Sequence, residues 1–238
     1  MIYTYSFKPG MDDINPDYSV KNTAILRMLE NAAGFHSDTI GNGILTIEET
    51  RKAWALLDWE YEIISPLTYG MELTVKTWSR GYVRTFAYRD YEIYNGDTLC
   101  LKATSKWFII DIDRRFPVRL TEDIMTPYQS EPHHVFDNEE IEKLFEQDNY
   151  EDAGTYTTRR SDEDIVGHVH NVNYIQMINE YLSPEEMTSI KHVHISYKKE
   201  IMAGETVLIK KQHLPDGKYC FSINSMDGKD IHSLCEMY

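Results

Sequence analysis

Two halves of this chain repeat one order of elements, and that repeat limits its fold more than any other feature. In the first half, 22–34 (N-T-A-I-L-R-M-L-E-N-A-A-G) carries Ile25, Leu26, Met28, Leu29 and Ala32 at helical spacing, with Gly34 expected as its C-cap. Strand-like stretches follow at 54–64, 71–78, 83–94 and 98–110. Met71, Leu73, Val75 and Thr77 alternate with period two, and N-G-D at 95–97 is a hairpin signal. In the second half, 171–181 reads as a helix, and 193–199, 206–212, 219–224 and 231–237 read as strands. P-D-G at 215–217 and D-G-K at 227–229 are turns. The halves also match by residue: I-L-R-M-L-E at 25–30 resembles I-Q-M-I-N-E at 175–180. Gly70 and Gly204 each enter an alternating strand. A long helix followed by antiparallel strands is the pattern of a sheet wrapped round a helix. The class is α+β, with two such units in one duplicated chain.

Between the halves lies a stretch read as an acidic linker, 127–155, which leaves domains at 1–126 and 156–238. From 131 to 152 nine acidic residues face one lysine, Lys143. Its middle, 138–147, could form a short helix with Ile141, Leu144 and Phe145 on one side. The net charge of −15 argues against nucleic acid or an anionic membrane as partner. Basic residues nonetheless cluster at Arg80, Arg84 and Arg89, at Arg114, Arg115 and Arg119, and at Lys198 and Lys199. No apolar run approaches membrane-spanning length, and the N-terminus lacks a signal-peptide pattern, so no membrane insertion is expected. Three widely spaced cysteines, Cys100, Cys220 and Cys235, form neither a disulfide framework nor a metal knuckle, which points to a reducing, cytoplasmic setting.

The stretch richest in chemistry is S-D-E-D-I-V-G-H-V-H-N-V-N-Y at 161–174. Acids, histidines and asparagines here precede a helix whose first backbone N–H groups point back at the His168 loop. That end favours developing negative charge, so an oxyanion could be stabilised there. Asp164, four residues before His168, could orient the imidazole. Glu200 in Y-K-K-E (197–200) is a candidate base to activate water. The bland alternatives are a helix N-cap for Asn171 and loop acids for Asp162 and Asp164. His133 with His134, and His192 with His194, have no companion ligands at close spacing, so no metal is expected. No G-x-S-x-G, P-loop or G-x-G-x-x-G occurs, so nothing supports a serine nucleophile or a nucleotide, and no cofactor is expected.

The chain as a whole resembles the acyl-ACP thioesterases of plants and bacteria, which have a double hot-dog fold. The resemblance rests on M-L-E-N-A-A-G-F-H-S-D (28–38), W-A-L-L (54–57), T-W-S-R-G (77–81), R-D-Y-E-I (89–93), A-T-S-K-W-F (103–108) and R-R-F-P-V-R-L (114–120). In the second half the family pattern is approximately D-x-D-x-N-x-H-V-N-N-x-x-Y, matched by Asp162, Asp164, His168, Val169, Asn171 and Tyr174. The resemblance implies hydrolysis of a fatty acyl chain from acyl carrier protein (ACP), with catalytic Asp164, His168 and Glu200. Glu200 would activate water, while Asp164, His168 and the helix N-terminus bind the carbonyl end. Val166, Asn171 and Tyr174 are expected to meet the substrate.

Two departures stand out. Val166 replaces the family asparagine, and His170 replaces the first asparagine of H-V-N-N. Ile201 follows Glu200 where many plant members have cysteine, which favours direct attack by water. The first half lacks the set: aligned at Gly70 and Gly204, Pro66 stands in the place of Glu200. That half is read as the home of the acyl chain, with Leu26, Leu29, Trp54 and Leu56 as lining or plain core. The departures keep open a catalytically impaired acyl-thioester-binding or regulatory protein. A hot-dog dehydratase or hydratase is a third reading. An acidic carrier protein would need a local basic face, for which Arg114, Arg115, Lys198 and Lys199 are candidates. Pairing with a second copy stays open.

Overall fold

Helix α1 (Asn22–Thr39) is the spine of the first half. Ala24, Ile25, Leu26, Met28, Leu29 and Ala32 are fully buried along it. Each large aliphatic side chain so placed contributes about 1.5–3 kcal/mol. The structure, a computed structural model, describes residues 1–138 and 140–238. Contrary to the sequence expectation, α1 does not stop at Gly34, which lies inside the helix. A Cβ at Gly34 would meet nothing within 4 Å, so the glycine weakens the helix locally without ending it. The extra turn is held by tertiary contacts. His36 stacks on Tyr3 and meets Tyr128 edge-on, and Ser37 Oγ lies 2.9 Å from the Tyr128 hydroxyl. Burial drives the His36 pKa down to about 4, with the Arg89 guanidinium adding to the effect. The left-handed glycine beyond the helix end is Gly41, at φ 75°.

The first unit, 1–141, builds one antiparallel sheet. Its strands are β1 (Tyr3–Phe7), β2 (Lys52–Ile63), β3 (Leu73–Val83), β4 (Phe86–Asn95) and β5 (Thr98–Asp111), in the order β1-β3-β4-β5-β2, with short β6 (Phe116–Val118) paired to β5. Helices α2 (Ile47–Thr50) and α3 (Glu122–Met125) sit in connections. At the N-G-D turn Asn95 pairs with Thr98, which leaves Gly96-Asp97 as the two-residue loop, with Gly96 at φ 58°.

The second unit, 142–238, has β7 (Glu151–Thr157), α4 (Asn171–Asn179), α5 (Pro184–Ser189), β8 (His192–Tyr197), β9 (Thr206–His213), β10 (Tyr219–Ser225) and β11 (Ile231–Met237). Its sheet order is β7-β9-β10-β11-β8. Strand for strand this is the topology of the first unit. The strand before the helix is one edge, three consecutive strands form a meander, and the strand after the helix closes the series.

The stretch read as a linker is structured at both ends. The Glu131 N–H donates to Ser79 O at 2.9 Å, Trp78 Nε1 donates to His133 O at 2.9 Å, and the Val135 N–H donates to Asp90 Oδ2 at 3.0 Å. Asp90 is fully buried and pairs with Arg80 at 3.3 Å. Burial raises its pKa against the opposing pull of that arginine. At the other end β7 begins at Glu151. The helix expected over 138–147 does not form across 140–147, and Glu139 lies outside the described residues. Ile141 and Leu144 are buried there without helix, while Phe145 is exposed. In a helix Glu142 and Glu146 would repel at i,i+4, a small cost.

Candidate functional site

The loop before α4 is organised by its own acids. Asp164 Oδ1 accepts the N–H groups of Val166 at 2.9 Å and His168 at 3.2 Å, and the Asp164 N–H donates to His168 O at 2.8 Å. Gly167, at φ 85°, permits the tight turn this requires. Asp162 Oδ2 accepts the Arg159 N–H at 2.7 Å, and its carbonyl accepts the His170 N–H at 2.8 Å and Asn173 Nδ2 at 2.9 Å. The Asp164 carboxylate makes no hydrogen bond to the His168 imidazole; its Oδ1 is held by backbone N–H groups instead. Among the described residues the imidazole has no hydrogen-bond or ion-pair partner.

The helix start also differs from the sequence reading. His170, and not Asn171, is the N-cap of α4: its Nδ1 accepts the Val172 N–H at 3.3 Å. The Asn173 N–H donates to His170 O at 2.8 Å. Two donors of the first turn are therefore already taken. Burial lowers the His170 pKa against an opposing pull from Asp164, which suits a neutral acceptor nitrogen. Asn171 offers its carbonyl to the Tyr197 hydroxyl at 3.2 Å. Ile165 and Val166 are exposed at the loop tip, and Met202 is exposed beside it.

Glu200 follows the end of β8 and is exposed. An antiparallel bridge joins His168 to Met202, and the Val169 N–H donates to Ile201 O at 2.8 Å. The His168 loop and the Glu200 segment are thus neighbours at the backbone level. Tyr174 is only 2 % exposed. Its hydroxyl accepts the Ile201 N–H at 3.0 Å and donates to Lys199 O at 3.3 Å. Its ring meets Tyr197 edge-on, and burial pushes its pKa well above the ordinary value. His232, which the sequence reading passes over, also touches this corner: its Nδ1 is 3.3 Å from Lys199 O and 3.2 Å from Glu200 O. No local pattern marks it.

The first unit carries the same framework around residues 12–22. The Asn15 N–H donates to Ser19 O at 2.8 Å, the Val20 N–H to Leu67 O at 2.9 Å and the Lys21 N–H to Asp13 O at 2.8 Å. Bridges join Ile14 to Val20 and Ser19 to Thr68, as they join Glu163 to Val169 and His168 to Met202. Ser19 therefore matches His168, Asn15 matches Asp164, and Pro66 matches Glu200. The helices align Ile25 with Tyr174, one residue away from the pairing that sequence similarity suggests.

Other candidates fall elsewhere. Cys100, Cys220 and Cys235 are free and buried. Burial pushes the Cys220 thiol up to about 11 and Cys235 well above the usual range, so neither is a thiolate nucleophile. Leu26, Leu29 and Leu56 are buried core, and Trp54 donates from Nε1 to Asn42 O at 3.1 Å. Among the described residues no cluster of three His, Cys, Asp or Glu side chains could hold a metal ion, and no helix is long and apolar enough to cross a membrane.

Comparison with known proteins bears on the family and the fold. The acyl-ACP thioesterase N-terminal domain matches residues 1–128, and the acyl-ACP thioesterase C-terminal domain matches residues 145–234. The chloroplastic oleoyl-acyl carrier protein thioesterase 1 of Arabidopsis thaliana is 25% identical over 203 residues, or 77% of this chain and 56% of that protein. The chloroplastic oleoyl-acyl carrier protein thioesterase of Coriandrum sativum is 24% identical over 202 residues, 77% of this chain and 55% of that protein. The chain thus spans about half the length of the curated relatives it matches. Among solved structures, an acyl-ACP thioesterase from Bacteroides thetaiotaomicron superposes with a TM-score of 0.89 at 22% identity, covering 99% of this chain and 96% of that one. The 12:0-ACP thioesterase from Umbellularia californica superposes at 0.85 with 15% identity and covers the same shares. The fold is therefore the tandem of two hot-dog-like halves, and by the two domain matches the chain belongs to the acyl-ACP thioesterase family.

Proposed function

We propose that this protein hydrolyses the thioester of a fatty acyl chain carried on ACP, with its chemistry in the second unit. The observation that carries the reading is the backbone bridge from His168 to Met202, which sets the loop of Asp164 and His168 beside the exposed Glu200. In this reading Glu200 takes a proton from water as the water oxygen attacks the thioester carbonyl carbon. His168 and the Asn171 N–H, the first-turn donor that His170 does not occupy, stabilise the oxyanion. The C–S bond then breaks, and the proton on Glu200 passes to the departing thiolate. Asp164 acts through the loop it holds, and Val166 and Asn171 lie where the substrate enters. The first unit houses the acyl chain. Of the basic candidates for the carrier face, Lys199 is paired with Asp230 at 2.6 Å and Arg114 with Asp111 at 3.9 Å, so an acidic carrier would compete with local carboxylates at both. The buried free thiols suit a reducing, cytoplasmic setting.

The test is a panel of acyl-ACPs of several chain lengths given to the purified protein, with release of free fatty acid measured. Turnover lost in Glu200→Gln and His168→Ala supports the reading, and full turnover in both overturns the site. A second reading, an acyl-thioester-binding protein with little turnover, is favoured by one observation. His170 caps α4 and occupies the Val172 N–H that could otherwise meet an oxyanion. It predicts saturable acyl-ACP binding without product.

A further inference from the structure

Glu200 sits on a backbone corner gripped by two buried side chains, and the matching corner of the first unit has neither grip. Tyr174 bonds on both sides of Glu200, to Lys199 O and to the Ile201 N–H. His232, 4 % exposed, lies with Nδ1 against the carbonyls of Lys199 and Glu200. Both neighbours are acceptors, so Nδ1 carries the proton. The His232 carbonyl accepts the N–H groups of Lys198 at 2.9 Å and Lys199 at 3.3 Å.

At the first unit's corner the Cys100 carbonyl makes the same two backbone bonds, to the N–H groups of Ile64 at 2.8 Å and Ser65 at 3.1 Å. Cys100 thus stands where His232 stands, but its thiol donates to Thr98 O. Ile25 stands where Tyr174 stands and has no hydroxyl. The residue between is Pro66, whose ring stiffens the chain by itself. A glutamate cannot do that. Its carboxylate has no hydrogen bond or ion pair among the described residues, so its aim depends on how firmly its backbone is held.

We propose that Tyr174 and His232 are positioning residues that clamp the Glu200 peptide and so hold its carboxylate at the reacting carbonyl. The inference rests on the proposed function. A shift of about 1 Å in a reacting group can cost about 100-fold in rate, so the clamp should appear in kcat and not in KM.

The experiment compares wild type, Glu200→Gln, Tyr174→Phe, His232→Leu, His232→Asn and Tyr181→Phe. It reads acyl-ACP hydrolysis per folded molecule, from near-UV circular dichroism, together with amide exchange at Ile201. Tyr174→Phe keeps the ring and deletes only the hydroxyl, so it tests the clamp even where His232→Leu fails to fold. It should lower kcat by about 10–100-fold with KM changed by less than about 3-fold, and the Ile201 amide should exchange at least about tenfold faster. His232→Asn, which can present an amide N–H near the place of Nδ1, should recover most of what His232→Leu loses. Tyr181→Phe deletes a similar bond just beyond the C-terminal end of α4, to Thr155 O at 2.9 Å, and should keep kcat. Full kcat in Tyr174→Phe, unchanged Ile201 exchange, or an equal loss in Tyr181→Phe overturns the clamp while leaving the role of Glu200 intact. A wild type as inactive as Glu200→Gln overturns the proposed function, and this inference with it.

Discussion

The loops at 12–22 and 161–171 share a backbone and differ in what they do with side chains. In the first, Asn15 Nδ2 donates to Ser19 Oγ at 3.0 Å, and Ser19 Oγ donates to Asp17 Oδ1 at 2.6 Å. Three polar side chains are spent on one another. In the second, Asp164 holds only backbone, and the His168 imidazole is left without a partner among the described residues. The corner beside each loop differs in the same sense: Pro66 has no ionisable group, while Glu200 is exposed. The duplicated scaffold is therefore neutral toward chemistry, and a few side chains set on it decide whether it can act. Even the turn residue differs at one geometry: Tyr18 holds φ 67° where Gly167 holds φ 85°.

That contrast can be broken most sharply at the glutamate. Glu200→Gln should reduce kcat/KM for acyl-ACP by about 10³-fold, the middle of the range for a lost general base. Pro66→Ala should leave it within about twofold. Equal losses at the two corners would mean that the units share the work. A smaller effect is expected one shell out. Asp164→Ala should cost about 10–100-fold in kcat as the loop loosens, whereas Asn15→Ala should barely change it, and paired kinetics on the two variants decide this. Val166→Asn restores the amide of the family pattern and should raise kcat by about tenfold if that group helps to bind the carbonyl end. A flat response in the same assay would remove the amide from the mechanism of this loop. The smallest effect concerns the turn. A Cβ on Gly167 meets nothing within 4 Å, so Gly167→Ala adds only backbone strain and should lower stability by about 1 kcal/mol in urea unfolding. Tyr18→Gly relieves the same strain but frees the unfolded chain, so it should be close to neutral.

The strands from β2 to β5 and from β8 to β11 were legible because alternation and turn glycines are local signals. Edge strand β7 was not, whereas β1 carries the alternation of Tyr3, Tyr5 and Phe7 in plain view. E-D-A-G-T-Y-T has no apolar alternation, and β7 exists because β9 offers it a ladder. Gly34 misled because a glycine inside a helix and one beyond its end look alike until His36 and Ser37 are seen packed. Helix α5 was missed although Ser183 and Glu186 form a capping box in plain view. At the site, the residue types of Asp164, His168 and Glu200 could be picked out, but their partners could not. Asp164 and Tyr174 act on backbone, and sequence pattern carries no record of which peptide a side chain will reach.

By itself the sequence determined the repeated order of helix and strands and the chemical inventory of each half, since periodicity and turn chemistry act over a few residues. Only the tertiary structure decided how that inventory is spent. Tyr174 meets Lys199 and Ile201, and His232 meets Glu200, across separations of 25, 27 and 32 residues. Such contacts depend on strand register and helix placement, which the whole fold sets. The same tertiary framework shifted the repeat by one residue, making Ile25 the counterpart of Tyr174, and so set a corner with the Tyr174 and His232 contacts against an equivalent corner without them.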